Sequence, residues 1–99
     1  MTIYHIVLPQ KWNSLELDAA YVADSLEMEG FIHCSYHHQL GAVLKRYYAN
    51  VKEVIILSID TERLTSRLVE EPSTNNEVYP HIYGPINRDS IIDVKTREL

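Results

Sequence analysis

The sequence predicts an α+β domain built on a compact, split, curved and mainly antiparallel sheet with a few short helices. Three observations favour this class. The chain has 99 residues, which suits one domain over residues 1–99 and leaves no room for a second. Short apolar runs typical of strands recur along its whole length. Segments with helical spacing are few and lie in the first half, and the order of strand, helices, strand, helix and then several strands suggests a largely antiparallel sheet.

The first elements are a strand and a short helix. The apolar run Ile3–Leu8 predicts a strand that ends at a proline. That proline starts a predicted short helix over Pro9–Leu17, with Trp12 as its anchor in the core. The spacing of Asp18–Glu29 leaves helix and loop both open, although its alanines favour helix. Gly30 ends whichever element precedes it.

A second strand and the longest helix follow. Phe31–Cys34 predicts a short strand, and Ser35 is a candidate N-cap for the helix behind it. The apolar stripe of this helix, which we expect to lie in the core, consists of Leu40, Val43, Leu44, Tyr47 and Tyr48.

The second half of the chain predicts strands only. Val54–Ile59 is nearly all apolar, which indicates burial on both faces of the strand. Asp60 is placed to cap the turn that follows. Three further strands are predicted at Arg67–Glu71, Tyr79–Tyr83 and Ile91–Lys95, and the polar segment 73–77 predicts a loop.

Composition narrows the function classes. The formal net charge of −5 argues against bulk binding of nucleic acid or anionic membranes, because both need a basic surface. The single cysteine, Cys34, cannot form an internal disulfide, which indicates a reducing compartment. No apolar run is long enough to span a bilayer, and the first residues lack the pattern of a signal peptide. We therefore expect a cytoplasmic protein.

Three histidines lie within apolar, strand-like segments. His5 lies in Ile3–Ile6, His33 in Gly30–Ser35 and His81 in Tyr79–Pro85. Imidazole titrates near neutral pH and needs hydrogen-bond partners when it is buried, so it is an unusual choice for a purely structural strand. The shared pattern predicts that the three histidines line one pocket.

Neighbouring residues suggest what that pocket binds. His33 and Ser35 lie on one face of their strand, and a helix that begins at Ser35 would offer free N–H groups to an anion. Gln39, one turn into that helix, would reach the same ligand. The alternative is that Ser35 only caps the helix and His33 only bonds the backbone.

The last histidine segment is stiff and aromatic. Tyr79 and Tyr83 share a face with His81, and two prolines and a glycine restrict the backbone around them. Glu70 and Glu71 face opposite ways if their segment is a strand, so one of them is a candidate buried carboxylate that acts as a base, with a solvated charge at the sheet edge as the alternative. A rigid turn with a structural histidine is the alternative interpretation.

Other chemistries have weaker support. Three histidines from separate strands can bind zinc or iron, but the HExxH, HxH and CxxC spacings are all absent. The phosphate-binding GxxxxGK[ST] and GxGxxG motifs and the GxSxG nucleophile motif are absent too. Cys34 alternates away from His33 and is expected to be a buried structural thiol.

The histidine segments carry a family resemblance. The motifs IYHI, SLEMEGFIHCS followed by Gln39, EEP and YPHIYGPI, in this order over essentially the whole chain, resemble a bacterial and plant family known as domain of unknown function 952. The fold of that family is similar to that of the ADP-ribosyltransferase superfamily, which binds NAD in a cleft between two half-sheets. The resemblance implies that His5 holds a ribose hydroxyl, that Tyr83 or Tyr79 stacks on nicotinamide, and that Glu71 is the acidic group.

These observations together predict an enzyme that binds a nucleotide-like or phosphorylated small molecule, with NAD or ADP-ribose as the implied type. The reaction would take place at a ribose or phosphoryl centre. The expected catalytic residues are His33, His81 and Glu71, and the expected ligand-binding residues are His5, Ser35, Gln39, Tyr79 and Tyr83. One alternative is a module that binds a small anion without turnover, and a further one is a histidine-based metal protein.

Overall fold

The computed structural model describes residues 1–99, whose six strands form two antiparallel three-stranded sheets. The strand order is β1-β3-β6 in the first sheet and β2-β5-β4 in the second. The strands are β1 Thr2–Val7, β2 Ile32–His33, β3 Glu53–Asp60, β4 Arg67–Pro72, β5 Val78–Tyr83 and β6 Ile91–Glu98. The α-helices are α1 Pro9–Asn13, α2 Asp24–Glu29 and α3 Leu40–Tyr47, and short 3-10 turns lie between the elements.

The first sheet is built around β3, the strand with the most apolar sequence. Residues 54–57 and Ile59 are buried on both faces of this strand, as the sequence predicts. One face packs into the main core, where Ile3 of β1 lies opposite Ile59. The other face is covered by Leu40 and Leu44 of α3. The central position of β3 therefore follows from its lack of a polar face.

The register of the second sheet separates its apolar and polar side chains. Ile32 lies opposite Ile82, and His33 lies opposite His81, in the antiparallel pair β2–β5. Because side chains alternate between the two faces, both isoleucines enter the core. The two histidines therefore share the other face of the sheet.

A short bridge joins the two sheets and overturns one prediction. The Tyr4 amide donates to the Ser35 carbonyl at 2.9 Å, and the Ser35 amide donates to the Tyr4 carbonyl at 2.7 Å. Because this pairing holds Ser35 in extended backbone, the prediction that Ser35 caps the long helix is wrong. A 3-10 turn over 37–39 starts after Tyr36, and α3 begins only after Gln39.

The remaining points of comparison concern the sheet and the ambiguous segment. The strands are antiparallel and the sheet is split, as predicted, into two three-stranded sheets. Helix covers only the second half of the segment 18–29, and Gly30 ends it in the left-handed conformation with φ 90°. Trp12 packs against the main core as expected. No helix in the structure is long and apolar enough to cross a membrane.

Two glycines give opposite expectations for substitution by alanine. Gly84 has φ 154°, and a Cβ there would lie 2.5 Å from the Ser66 Oγ, so Gly84→Ala should lower the free energy of unfolding by roughly 1–3 kcal/mol. Gly41 lies in α3 with open space around it, so Gly41→Ala should raise that free energy by about 0.5–1 kcal/mol. Urea unfolding measures both changes. Equal effects at the two positions would contradict this description of the backbone.

Candidate functional site

A cleft with a volume of about 730 Å³ is lined by residues of both sheets. The first sheet contributes His5 and the end of β1, and the second contributes His33 and Tyr79. Helices α2 and α3 and the turn at 73–74 form the rest of the wall. The cleft thus brings together four of the eight predicted site residues, which are His5, His33, Ser35 and Tyr79.

His5 is buried at the base of this cleft with both ring nitrogens engaged. Nδ1 lies 2.6 Å from the carbonyl oxygen of His33, which can only accept, so Nδ1 carries the proton. Nε2 then accepts a hydrogen bond of 2.8 Å from the Tyr21 hydroxyl. Burial lowers the pKa of His5 to about 4, so the ring is neutral at pH 7. His5 is therefore a neutral connection between β1, the end of β2 and Tyr21.

His33 is the most accessible of the three predicted histidines. About half of its side chain is exposed, and its Nε2 lies 3.0 Å from the Glu29 carboxylate at the end of α2. Its ring also packs edge-on against the ring of His81, with the ring centroids 5.3 Å apart. His33 thus contacts the cleft on one side and the outer face of the second sheet on the other.

His81 lies beside the cleft and does not line it. Its Nδ1 donates a hydrogen bond of 2.7 Å to the Glu71 carboxylate, which also accepts one from the Tyr83 hydroxyl. The bonds from Tyr83 and His81 lower the pKa of Glu71, and the bond to Glu71 raises the pKa of Tyr83. The three predicted residues Glu71, His81 and Tyr83 therefore form a second group, which His33 joins to the cleft.

The structure places Ser35 and Gln39 differently from each other. Ser35 lines the cleft, but without a helix N-terminus behind it the predicted anion site loses its backbone donors. The Gln39 side chain lies outside the cleft and is engaged in three hydrogen bonds, with the Tyr36 amide, the Glu77 carboxylate and the Val78 carbonyl. Its geometry is that of a buried residue that joins the 3-10 turn to the start of β5.

One basic side chain lines the cleft, and a second lies over the ring of a lining tyrosine. Lys11 lines the cleft and pairs with Asp24 at 3.1 Å. Arg46 extends from α3 over the ring of Tyr47, and the nearby Tyr79 hydroxyl raises the pKa of its guanidinium. An anionic group in the cleft would therefore meet Lys11 together with the carboxylates of Asp24 and Glu29, which line the same wall.

Several residues of the site were missed by the sequence interpretation. Tyr47 and Tyr48 repeat at helical spacing, which predicts core positions, yet both line the cleft and Tyr47 is 58% exposed. Tyr21 lies in the segment that was left open, and its buried hydroxyl has a raised pKa. The only sequence signal that these residues share is a large aromatic side chain with a hydroxyl group.

Acidic and metal-binding side chains meet in pairs, such as His33–Glu29 and His81–Glu71. No group of three or more histidine, cysteine, aspartate or glutamate side chains is arranged to hold a metal ion. Cys34 is buried, as predicted, and burial raises the pKa of its thiol.

Comparison with known proteins identifies the family. The family described as "Protein of unknown function (DUF952)" matches residues 6–94. The crystal structure of protein CC0527 from Caulobacter crescentus is similar, with 21% identity and a TM-score of 0.87 over 100% of this chain and 88% of that chain. The solution NMR structure of CC0527 gives 21% identity and a TM-score of 0.78 over 99% of this chain and 84% of that chain. No curated protein matches the sequence. Because the family match covers nearly all of the chain, the protein belongs to the DUF952 family.

Proposed function

We propose that the cleft binds a nucleotide-like or otherwise phosphorylated small molecule, of the NAD or ADP-ribose type, and that the protein acts on it at a ribose or phosphoryl centre. The observation that carries this proposal is the convergence of His5, His33, Ser35 and Tyr79 on one cleft. A volume of about 730 Å³ lies in the range of pockets that hold small molecules and cofactors.

The walls of the cleft suit the three parts of such a ligand. Tyr47, Tyr48 and Tyr79 offer aromatic rings on which a base or nicotinamide can stack. Hydroxyls of Ser25, Ser73 and Thr74 can bond a sugar, which carries donors and acceptors in equal measure. Lys11 supplies a positive charge for a phosphate, beside the carboxylates of Asp24 and Glu29 on the same wall.

The resemblance to ADP-ribosyltransferases supports the same ligand class but requires one change of role. Two half-sheets that flank a cleft fit that superfamily. His5, however, has both nitrogens engaged and no free atom for a ribose hydroxyl. In our proposal His33 takes that part, since its ring is accessible, and His5 positions the backbone of His33.

The chemistry would come from Glu71 and His81. A carboxylate that holds Nδ1–H of an imidazole leaves Nε2 free to take a proton, which is the arrangement of a general base. His33 lies between this pair and the cleft, with its ring 5.3 Å from that of His81. A ligand at His33 is thus close to the proposed base.

A module that binds a small anion without turnover is the second candidate. The observation that favours it is that His81 and Glu71 do not line the cleft, whereas Lys11 does. Binding then needs the cleft alone, and no proton has to move.

Thermal denaturation tests the binding proposal with NAD, ADP-ribose, inorganic phosphate and zinc as probes. A ligand at about 100 times its Kd stabilises the folded state by about 2.7 kcal/mol. For a domain of this size, we expect NAD or ADP-ribose to raise Tm by roughly ten degrees. His33→Ala should abolish the shift, because His33 lines the cleft. His38→Ala is the matched control, since His38 is exposed and lies outside the cleft.

The remaining outcomes separate the alternatives. A shift with phosphate alone would support the anion-binding module. A shift with zinc that is lost in a histidine variant would support metal binding. No shift with any nucleotide would contradict the proposed ligand class.

A further inference from the structure

We propose that Nε2 of His81 is the atom that accepts a hydrogen bond, and then the proton, from a ligand hydroxyl, and that the ring of Phe31, which stacks on this imidazole, covers one face of it until a ligand enters the cleft. The part that concerns the ligand rests on the proposed function. The part that concerns Phe31 depends only on contacts within the chain, so the two can fail separately.

The starting observation is a buried nitrogen without a partner. The His81 side chain is 3% exposed, and its Nε2 forms no hydrogen bond. Its other nitrogen, Nδ1, is held by the Glu71 carboxylate. Nearly all buried polar atoms in folded proteins are satisfied, so an orphaned one requires an explanation. An acceptor reserved for a ligand is the explanation that the neighbouring cleft supports.

Phe31 forms the cover. Its ring stacks on the imidazole of His81, with the centroids 4.2 Å apart and the planes inclined by 21°. The same ring packs against the rings of His33 and Tyr83, with ring centroids 4.9 Å and 5.3 Å apart, respectively. Phe31 therefore lies at the centre of the aromatic group on the outer face of the second sheet. Its ring shields one face of the His81 imidazole from water.

The backbone around Phe31 is held by one side-chain bond that a ligand can reach. The Ser25 hydroxyl donates to the Phe31 carbonyl at 2.8 Å, and Ser25 also lines the cleft. Gly30 precedes Phe31, and nothing lies within 4 Å of the position where a Gly30 side chain would begin. A ligand that accepts the Ser25 hydrogen bond thus removes the bond that holds Phe31, next to open space.

The tautomer of His81 determines the class of ligand group that fits. Because Nδ1 carries the proton shared with Glu71, Nε2 of the neutral ring presents a lone pair. It therefore fits an O–H donor such as a ribose hydroxyl, and it does not fit a carbonyl or phosphate oxygen. When the proton moves, the O–H bond breaks, an Nε2–H bond forms, and the oxygen keeps the electron pair. The Glu71 carboxylate then balances the charge of the imidazolium.

Carbethoxylation with diethylpyrocarbonate tests the cover without any ligand, because the reagent modifies accessible, unprotonated imidazole. Peptide mapping by mass spectrometry follows each histidine separately. In the unsubstituted protein we expect rapid modification of the exposed His38 and slow modification of His5 and His81. In Phe31→Ala, modification of His81 should become about tenfold faster. The imidazole of His81 can then be exposed to the reagent without displacement of the Phe31 ring. His5 should stay protected, which shows that the fold is intact.

A second variant keeps the test decisive if Phe31→Ala does not fold. Ser25→Ala retains the ring and removes only the hydroxyl that holds the Phe31 carbonyl. Selective acceleration at His81 in this variant, with His5 still protected, supports the proposal. Protection of His81 equal to that of His5 in both folded variants would overturn it, as would rapid modification of His81 in the unsubstituted protein. Faster modification of His81, together with no change of Tm on addition of NAD or ADP-ribose, would contradict the proposed function. The role of Phe31 as the cover of His81 would still stand.

Discussion

Lowering the pH from 7 to 5 is expected to remove about 2 kcal/mol from the free energy of unfolding through His5 alone. The pKa of His5 is about 4 in the folded protein, because burial disfavours the charged ring, against 6.5 for an unperturbed histidine. Below pH 6.5 the unfolded chain binds a proton that the folded protein does not bind. Stability is therefore fully present above pH 6.5, falls as the pH decreases, and levels off below about pH 4.

Urea unfolding at pH 7, 6 and 5 measures this loss. His5→Phe is the matched variant: it should be less stable at pH 7, because Tyr21 and the His33 carbonyl lose their partner, but its stability should change less between pH 7 and 5. The lowered pKa of Glu71 acts in a different window, since its stabilising effect is lost only as the pH falls below 4.5. An unfolding free energy of the unsubstituted protein that stays constant from pH 7 to 5 would contradict the neutral, buried state of His5.

The strands were largely predictable because their signals are local. The apolar run of residues 54–59 can be buried only at the centre of a sheet, and β3 lies there. Alternation correctly placed Cys34 in the core and His33 outside it. The capping oxygen of Asp60 accepts from the Glu62 amide at 3.0 Å, as its position before a turn suggested. Each of these predictions depends on residues adjacent in the chain.

Predictions that depended on backbone pairing between segments far apart in the chain were less accurate. Ser35 has the right residue type for an N-cap, but its backbone pairs with Tyr4, 31 positions earlier in the chain, and this contact leaves no local signal. The same limit applies to which strands pair within each half of the split sheet, because alternation gives the faces of a strand and not its partners. Tyr21 is a further example of a residue placed by a distant contact, since its position in the site depends on its backbone bridge with Ile86.

The candidate site was predictable in its residue types more than in its grouping. The three histidine segments lie near one another but form two groups: His5 and His33 line the cleft, whereas His81, opposite His33 in the second sheet, is grouped with Glu71. His5 reaches the cleft from the opposite sheet. The neutral state of His5 and the missing partner of His81 Nε2 depend on burial, which the sequence does not specify atom by atom.

The substitution with the largest expected effect on activity is Glu71→Gln. Glutamine keeps the shape of the side chain, and its amide oxygen can still accept from His81 Nδ1–H, so His81 should stay in place. The amide carries no charge to balance an imidazolium, so proton transfer to Nε2 becomes unfavourable. If the protein is an enzyme, kcat should fall between about a hundredfold and ten-thousandfold, the range that general-base catalysis supplies. KM should change little, because Glu71 lies outside the cleft.

Release of nicotinamide from NAD is the measurement, with Glu70→Gln as the matched control. Glu70 is the adjacent carboxylate, and it accepts from the Tyr36 hydroxyl and does not contact His81. Its substitution removes the same charge at nearly the same place and should leave kcat unchanged. Equal kcat values for the Glu71→Gln variant and the unsubstituted protein would exclude Glu71 and His81 as the catalytic pair. An NAD-induced rise in Tm that persists in both variants without any nicotinamide release would instead show that the cleft binds its ligand and does not transform it.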